Sequence, residues 1–404
     1  MTGRPFLTLA VAEALSLSGT RLSTIAIPWL VLSTTGDAMQ TGLVAMAEML
    51  PYVVAKAVGG PLIDRLGARS MAIACDLGCV LVVGLVPLLH GLGLLSVPVL
   101  LPIVFLLGVL RGPSDAAKQS LVPQVAVAAG LPLERVTGVV GAIERLASTA
   151  GAAGAGALIG WIGAVEALWV NAATFGFAAL VLLVGLARGA KAEGHPQRRS
   201  YRQDFAEGWR FLRSDAVLMG IVIMVAATNL LDQAYATVLL PVWTQQSGHG
   251  PALLGMMFAA FAGASMLGAI IAAMIGEKLP RLLVYTVAFL LTGFPRFVVF
   301  AVEAPLWGIF AVLVTAGFAS GFLNPILSAV MFERIPAALV GRVTSIYGAL
   351  CWALIPLGGL VGGALIGLVG LAPAFVLMGL AYLAATLLPL MRRSFRGFAR
   401  PVLP

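Results

Sequence analysis

Charge is what this sequence has least of. Asp, Glu, Lys and Arg make up only 10% of its 404 residues, while 60% are hydrophobic and the mean hydropathy is +1.02. Soluble globular chains carry about 25% charged residues, so an ordinary soluble enzyme is excluded. Cysteine is scarce as well. Cys75 and Cys79 lie four apart in one apolar run and Cys351 stands far away, so they read as small buried side chains, and neither a disulfide framework nor a metal site is expected. The three histidines, His90, His195 and His249, fall between apolar runs, which argues against a buried imidazole relay. No G-x-x-x-x-G-K-[ST], H-E-x-x-H or G-x-S-x-G stretch occurs, and no segment outside the apolar runs is long enough to house catalysis. A membrane-embedded enzyme and direct ATP hydrolysis are therefore not expected, and no cofactor is needed.

Long apolar runs are what the chain has instead. A hydrocarbon core about 30 Å thick takes about 20 apolar residues per helix. Twelve segments qualify, at roughly 6–33, 39–62, 70–90, 97–119, 134–162, 165–187, 217–244, 251–276, 280–302, 305–332, 341–369 and 371–391. The expected class is an all-α membrane protein with 12 transmembrane helices; uninterrupted runs of this length disfavour a transmembrane barrel. The first run outlasts a signal peptide's short core and contains Glu13 and Arg21, so it reads as a retained helix. The net charge of +8 has a distribution that explains it without nucleic acid. With the N-terminus inside, every Lys and Arg outside the runs falls on one side, and the opposite loops offer only Asp37, His90, Glu166, His249 and Glu303. Basic loops stay cytoplasmic, so both termini are expected there.

The second half repeats the first. Leu240-Pro241 falls opposite Ile27-Pro28, Gly255-Met256 opposite Gly42-Leu43, Glu277-Lys278 opposite Asp64-Arg65 and Pro336 opposite Pro123, all at one offset. After a loop that is longer in the first half, Arg135-Val136-Thr137 matches Arg342-Val343-Thr344, and Gly156-Ala157-Leu158-Ile159-Gly160 matches Gly363-Ala364-Leu365-Ile366-Gly367. A six-span repeat returns the chain to its starting side, so the halves should be pseudo-symmetric about an axis along the membrane normal. This divides the chain into a six-helix bundle at 1–187, a cytoplasmic linker at 188–216 and a second bundle at 217–404. Within the linker, Phe205, Trp209 and Leu212 recur at helical spacing beside Arg202, Arg210 and Arg213. That pattern predicts an amphipathic helix lying on the anionic cytoplasmic leaflet.

The densest cluster of glycine and charge is Gly59-Gly60-Pro61-Leu62-Ile63-Asp64-Arg65-Leu66-Gly67-Ala68-Arg69-Ser70, between the second and third runs. Gly59 and Gly60 permit close backbone approach, and Gly67 permits a turn with positive φ. Gly60, Asp64, Arg65, Gly67 and Arg69 fit the pattern G-x-x-x-D-R-x-G-R, which resembles the loop between the second and third helices of the major facilitator superfamily. Asp204 to Arg213, and Leu110-Arg111-Gly112-Pro113-Ser114-Asp115 followed by Leu121-Val122-Pro123, are similar to a drug:proton antiporter branch that includes macrolide-efflux and enterobactin-exporter proteins. The resemblance implies the major facilitator fold, substrate held between two bundles and exposed alternately to each side, and a part for Arg111 in proton transfer. It also implies a conformational gate made of Gly60, Asp64, Arg65, Gly67, Arg69 and Asp115, echoed by Glu277 and Lys278. Gly151, Gly154, Gly156 and Gly160 resemble a glycine-rich antiporter motif, but its Gly-Pro pair is missing, and close helix packing explains the run.

Charges at bilayer depth cost about 2.5–3.5 kcal/mol each on insertion scales, so each needs a partner or a wet cavity. Glu13 lies about 10 Å into the first helix, with Ser16 and Thr20 on its face and Arg21 deeper. Asn229 and Asp232 take the corresponding place in the seventh. Together with Glu48, Arg111, Glu144 and the neighbouring Arg145, these are the candidates for proton coupling or substrate binding. Asp115 is expected to bridge Arg65, Asp76 to belong to the gate's packing, Lys56 and Lys118 to snorkel to the interface, and Arg296 to pair with Glu303 or point outward. Trp29, Trp243 and Trp352 are candidates to line an apolar cavity. The leading expectation is a proton-coupled exporter of an amphiphilic small molecule, a monomer in a bacterial cytoplasmic membrane. A nutrient importer or uniporter of the same fold, and a non-transporting receptor or scaffold, are the alternatives.

Overall fold

The computed structural model describes residues 4–186, 201–275, 280–336 and 339–391, and among these there is no strand. In hydrocarbon every backbone N–H and C=O must be satisfied within the protein, and uninterrupted Leu, Ala, Val and Gly runs do this as helices. The first half contributes α1 (Arg4–Thr35), α2 (Ala38–Val58), a short α3 (Gly60–Leu66), α4 (Ala68–Gly91), α5 (Val97–Ala129), α6 (Leu133–Ile162) and α7 (Ala164–Gly185). The linker forms α8 (Tyr201–Ser214). The second half contributes α9 (Ala216–Ala234), a π-helical turn at Tyr235–Leu239, α10 (Leu240–Gln246), α11 (Pro251–Ile275), α12 (Arg281–Thr292), α13 (Phe294–Ala301), α14 (Leu306–Arg334), α15 (Val340–Trp352), α16 (Ile355–Val369) and α17 (Leu371–Met391).

Among the described residues ten helical stretches are long and apolar enough to cross a membrane. α6, with 30 residues, carries Glu134, Arg135, Glu144 and Arg145, and α17 has 21 residues. With these two the expected twelve spans are present. Three of them depart from the expected outline. The fourth span runs on to Ala129 instead of ending near 119; the ninth breaks at Gly293 and the eleventh at Ala353-Leu354, before Pro295 and Pro356. In the seventh, Pro241 cannot donate to the preceding turn, and the helix widens to a π turn just ahead of it. Pro28, its counterpart in the repeat, sits inside the unbroken α1.

Compactness divides the chain into two units, Met1–His195 with Leu240–Ala259, and Pro196–Leu239 with Ala260–Pro404. In the first, Leu9, Met71, Ala72, Leu121, Val125 and Leu182 belong to one buried cluster. Glycine sets how closely α2 and α5 approach. A Cβ on Gly108 would overlap the carbonyl oxygen of Glu48, and one on Gly112 the carbonyl oxygen of Tyr52. The second unit repeats the device: Gly317 and Gly321 press on the carbonyls of Phe261 and Ser265, which stand opposite Glu48 and Tyr52 in the repeat. Also within the first unit, Gly156 of α6 meets the backbone of Gly255, Gly151 meets the Arg21 side chain and Gly160 meets Ala252, whereas Gly154 faces open space.

The linker helix departs from expectation. α8 does not offer its apolar stripe to a leaflet. Leu212 is fully buried in a cluster with Leu218, Val222, Met331, Val343 and Ile346; Trp209 and Phe211 pack on that cluster, and Phe205 is left exposed. Gly208 lies against Ile346 and Arg342, and Arg342 Nη1 donates to Glu207 Oε2 at 2.6 Å. Leu212 and Trp209 of the stripe are covered by protein of their own unit, which leaves only Phe205 to meet lipid.

Candidate functional site: buried charge in each unit

The glycine-rich turn comes first because it sets the start of α4. Gly67 has φ +84°, as its place in the pattern requires, and its N–H donates to Ile63 O at 2.8 Å. Arg69 Nη2 reaches Leu183 O at the end of α7, 2.7 Å away, tying two helix ends together. Gly59 lies against Pro113, but Gly60 has open space where a Cβ would stand, so close approach does not explain it. The Asp64 side chain, together with Glu277 and Lys278, lies outside the described residues. Arg65 is exposed at the end of α3. Asp115 accepts from Tyr52 Oη at 2.9 Å, in place of the expected bridge to Arg65, and Lys56 Nζ donates to the same hydroxyl at 3.3 Å.

Deeper in the first unit the charges fall into pairs. Arg111 donates to Glu48 across the close α2–α5 contact, with its guanidinium 5.4 Å from the centre of the Tyr52 ring. Both side chains are buried, so each supplies the counter-charge that the other needs. Lys118 does not snorkel. It is 1% exposed and donates to Asp76 at 2.9 Å and to Ser16 at 2.6 Å, while Ser114 donates to the same Asp76 oxygen at 2.7 Å. The extra length of α5 is the reason. Ending near 119, the helix would have placed Lys118 at an interface; continuing to Ala129, it places Lys118 inside.

Glu13 differs from these. It is buried, and its Oε2 has no hydrogen-bond partner among the described residues. Lys118, Asp115, Glu144 and Asp76 lie within electrostatic reach of it, but Lys118 is already bonded to Asp76. Arg21, two turns along α1, feels Arg111, Glu144 and Asp115. Glu144 itself is exposed on α6 and is not one of the buried charges.

In the second unit Arg296 neither points outward nor meets Glu303. It donates to Asp232 from α13 to α9, and its guanidinium lies 4.7 Å from the ring centre of Tyr235, 5.1 Å from Phe297, 5.3 Å from Phe261 and 5.7 Å from Tyr382. Aromatic faces attract a desolvated cation by about 2 kcal/mol. Asn229, one turn before Asp232, donates to Cys351 O at 3.0 Å and so ties α9 to α15. At the helix ends Arg281 grips Glu333 with two bonds of 2.6 and 2.7 Å, and Arg334 donates to Asp215 at 2.7 Å. Trp352 is exposed, while Trp243 is buried with its ring 6.2 Å from that of His249.

Sequence reasoning missed Arg296 and Lys118 as members of the buried set, and Tyr52 altogether. The signal lay in depth. Arg296 stands fifteen residues past Arg281, about 22 Å along the helix, too deep for a side chain to reach the cytoplasmic face. A base at that depth requires an acid, and Asp232 is the acid at comparable depth.

Comparison with known proteins agrees with the fold. The model of the Major Facilitator Superfamily matches residues 9–355 and again 224–397. The multidrug efflux pump Tap of Mycobacterium tuberculosis is 31% identical over 396 residues, which cover 97% of this chain and 94% of that protein. Tap of Mycolicibacterium fortuitum is 30% identical over 400 residues, 96% of each chain. Among solved structures, the nucleoside transporter NupG superposes with a TM-score of 0.75 at 12% identity, covering 96% of this chain and 98% of that one. A bacterial homologue of the iron transporter ferroportin, in an inward-facing state, does so with 0.69 at 15% identity, covering 98% of both. At such identities the two structures speak for the fold alone. The family match along most of the chain, joined to twelve spans and relatives alike over nearly their whole length, makes this chain a member of the major facilitator superfamily, a multi-pass membrane transporter and not an enzyme.

Proposed function

We propose that this transporter exports an amphiphilic small molecule, a drug or natural product, in exchange for protons and by alternating access. The carrying observation is Glu13, a buried carboxylate whose Oε2 has no hydrogen-bond partner among the described residues, while Lys118, a base that acts on it, is bonded to Asp76. A charge left alone at bilayer depth is costly, and either a proton or a polar group of the substrate relieves that cost. Two occupants that relieve the same cost exclude one another, and exclusion of this kind couples their opposite movements. The efflux direction is supported by the relatives, which bear the name multidrug efflux pump. The reading requires no cofactor beyond a proton gradient, and it places a monomer in the bacterial cytoplasmic membrane with both termini cytoplasmic.

The test uses sealed everted vesicles holding an imposed pH gradient, challenged with lipophilic cations, macrolides, tetracyclines and siderophores. At least one class should release protons in the wild type and fail to do so in Glu13→Gln. A labelled solute that equilibrates at the same rate with and without the gradient would replace the exporter by a uniporter.

A further inference from the structure

Of the three ion pairs that join helices at depth among the described residues, Arg111–Glu48, Lys118–Asp76 and Arg296–Asp232, the last is unlike the others. Glu48 and Arg111 are both buried, whereas in the second unit Arg296 is 5% exposed and the Asp232 side chain is 40% exposed. The open partner is therefore the acid. Asp232 lies sixteen residues after the start of the span Ala216–Gln246 and fourteen before its end, so this opening is at bilayer depth and not at an end of the span. The other acids described in the second unit, Asp204, Glu207, Asp215, Glu303 and Glu333, sit in the linker helix or at the ends of spans. The opening also faces away from lipid. Ile223, 61% exposed, is nine residues earlier, and nine steps of 100° place Asp232 on the opposite side of the helix.

The surroundings fix what such an opening selects. Arg296 is enclosed by Tyr235, Phe297, Phe261 and Tyr382, so its guanidinium keeps four aromatic neighbours whether or not it bonds to Asp232. It can yield the carboxylate without becoming stranded. Asn229, on the same face, is held by the Cys351 carbonyl and offers no rival charge. Phe261, half-buried beside the pair, supplies an apolar surface for the body of a ligand.

We propose that Asp232 receives the positive charge of a lipophilic organic cation, and that Arg296 is the internal counter-ion which the cation replaces. The inference rests on the transport reading, of which it names the substrate class.

The test is equilibrium binding of labelled tetraphenylphosphonium to the purified full-length protein in nanodiscs, with neutral triphenylphosphine oxide as the uncharged comparator. Asp232→Asn should weaken tetraphenylphosphonium binding at least tenfold and leave the oxide unchanged. Arg296→Gln, which frees the carboxylate, should tighten tetraphenylphosphonium binding severalfold, an effect that misfolding does not produce. Absence of saturable tetraphenylphosphonium binding in the wild type overturns the proposal, as does equal binding by wild type and Asp232→Asn, or loss of the oxide together with the cation. Binding that depends on Asp232 without proton release in vesicles sustains this site and removes the antiport reading instead.

Discussion

Glu48 and Glu13 are buried carboxylates in the same unit, yet their surroundings predict opposite responses to the same substitution. Glu48 neutralises Arg111, so Glu48→Gln leaves a buried guanidinium unpaired; breaking such a pair costs about 3–5 kcal/mol. Replacing both partners, as in Glu48→Leu with Arg111→Met, removes the two desolvation penalties together and should recover most of that loss. Glu13→Gln removes a charge that has no bonded base among the described residues, so the thermal midpoint should hold or rise while proton release disappears. Thermal unfolding of the three variants in one detergent checks the order. If Glu13→Gln destabilises as much as Glu48→Gln, Glu13 is a structural partner and its place in proton exchange is lost.

Helices in a bilayer gain little from apolar surface, since lipid is as apolar as leucine, and close packing holds them together instead. The glycines of α5 and α14 show where that packing is closest. Gly112 lies against the Tyr52 carbonyl and the Lys56 backbone, and Gly321 lies against Ser265 and Ala269, the residues that stand opposite Tyr52 and Lys56 in the repeat. Gly112→Ala and Gly321→Ala should each cost about 1–3 kcal/mol through overpacking. Gly154→Ala, with open space before it, should instead gain up to about 1 kcal/mol of helix propensity. Thermal midpoints of the three variants decide it, and a stabilised Gly112→Ala would show that the α2–α5 contact has room to spare. The α5 contact also has a chemical consequence, because it is what brings Arg111 and Glu48 within one bond of each other.

At the scale of the whole chain, the spans and the repeat were legible because they follow from local rules: apolar length, an offset between halves, and a glycine with positive φ at Gly67. The partners were not, because each joins helices far apart in sequence. Asp232 and Arg296 are 64 positions apart, and Lys118 and Asp76 are 42 apart, so only depth could have matched them. The linker misled for a related reason: an apolar stripe announces that it will be covered, but not whether lipid or protein covers it. Orientation is the remaining property of the whole molecule, and the protein is suited to a direct test of it. Cys75, Cys79 and Cys351 are all buried and unpaired, so a membrane-impermeant maleimide should find little background in the native chain. Basic loops on one side predict that a cysteine at His249 is labelled from outside intact cells. One at Ser214, in the exposed end of α8, should be labelled only after the cells are opened or the vesicles everted. The reverse pattern would turn the chain over in the membrane and put both termini outside, but the direction of transport would still be read from the face to which substrate is added, since everted vesicles expose the cytoplasmic face whichever way the chain lies.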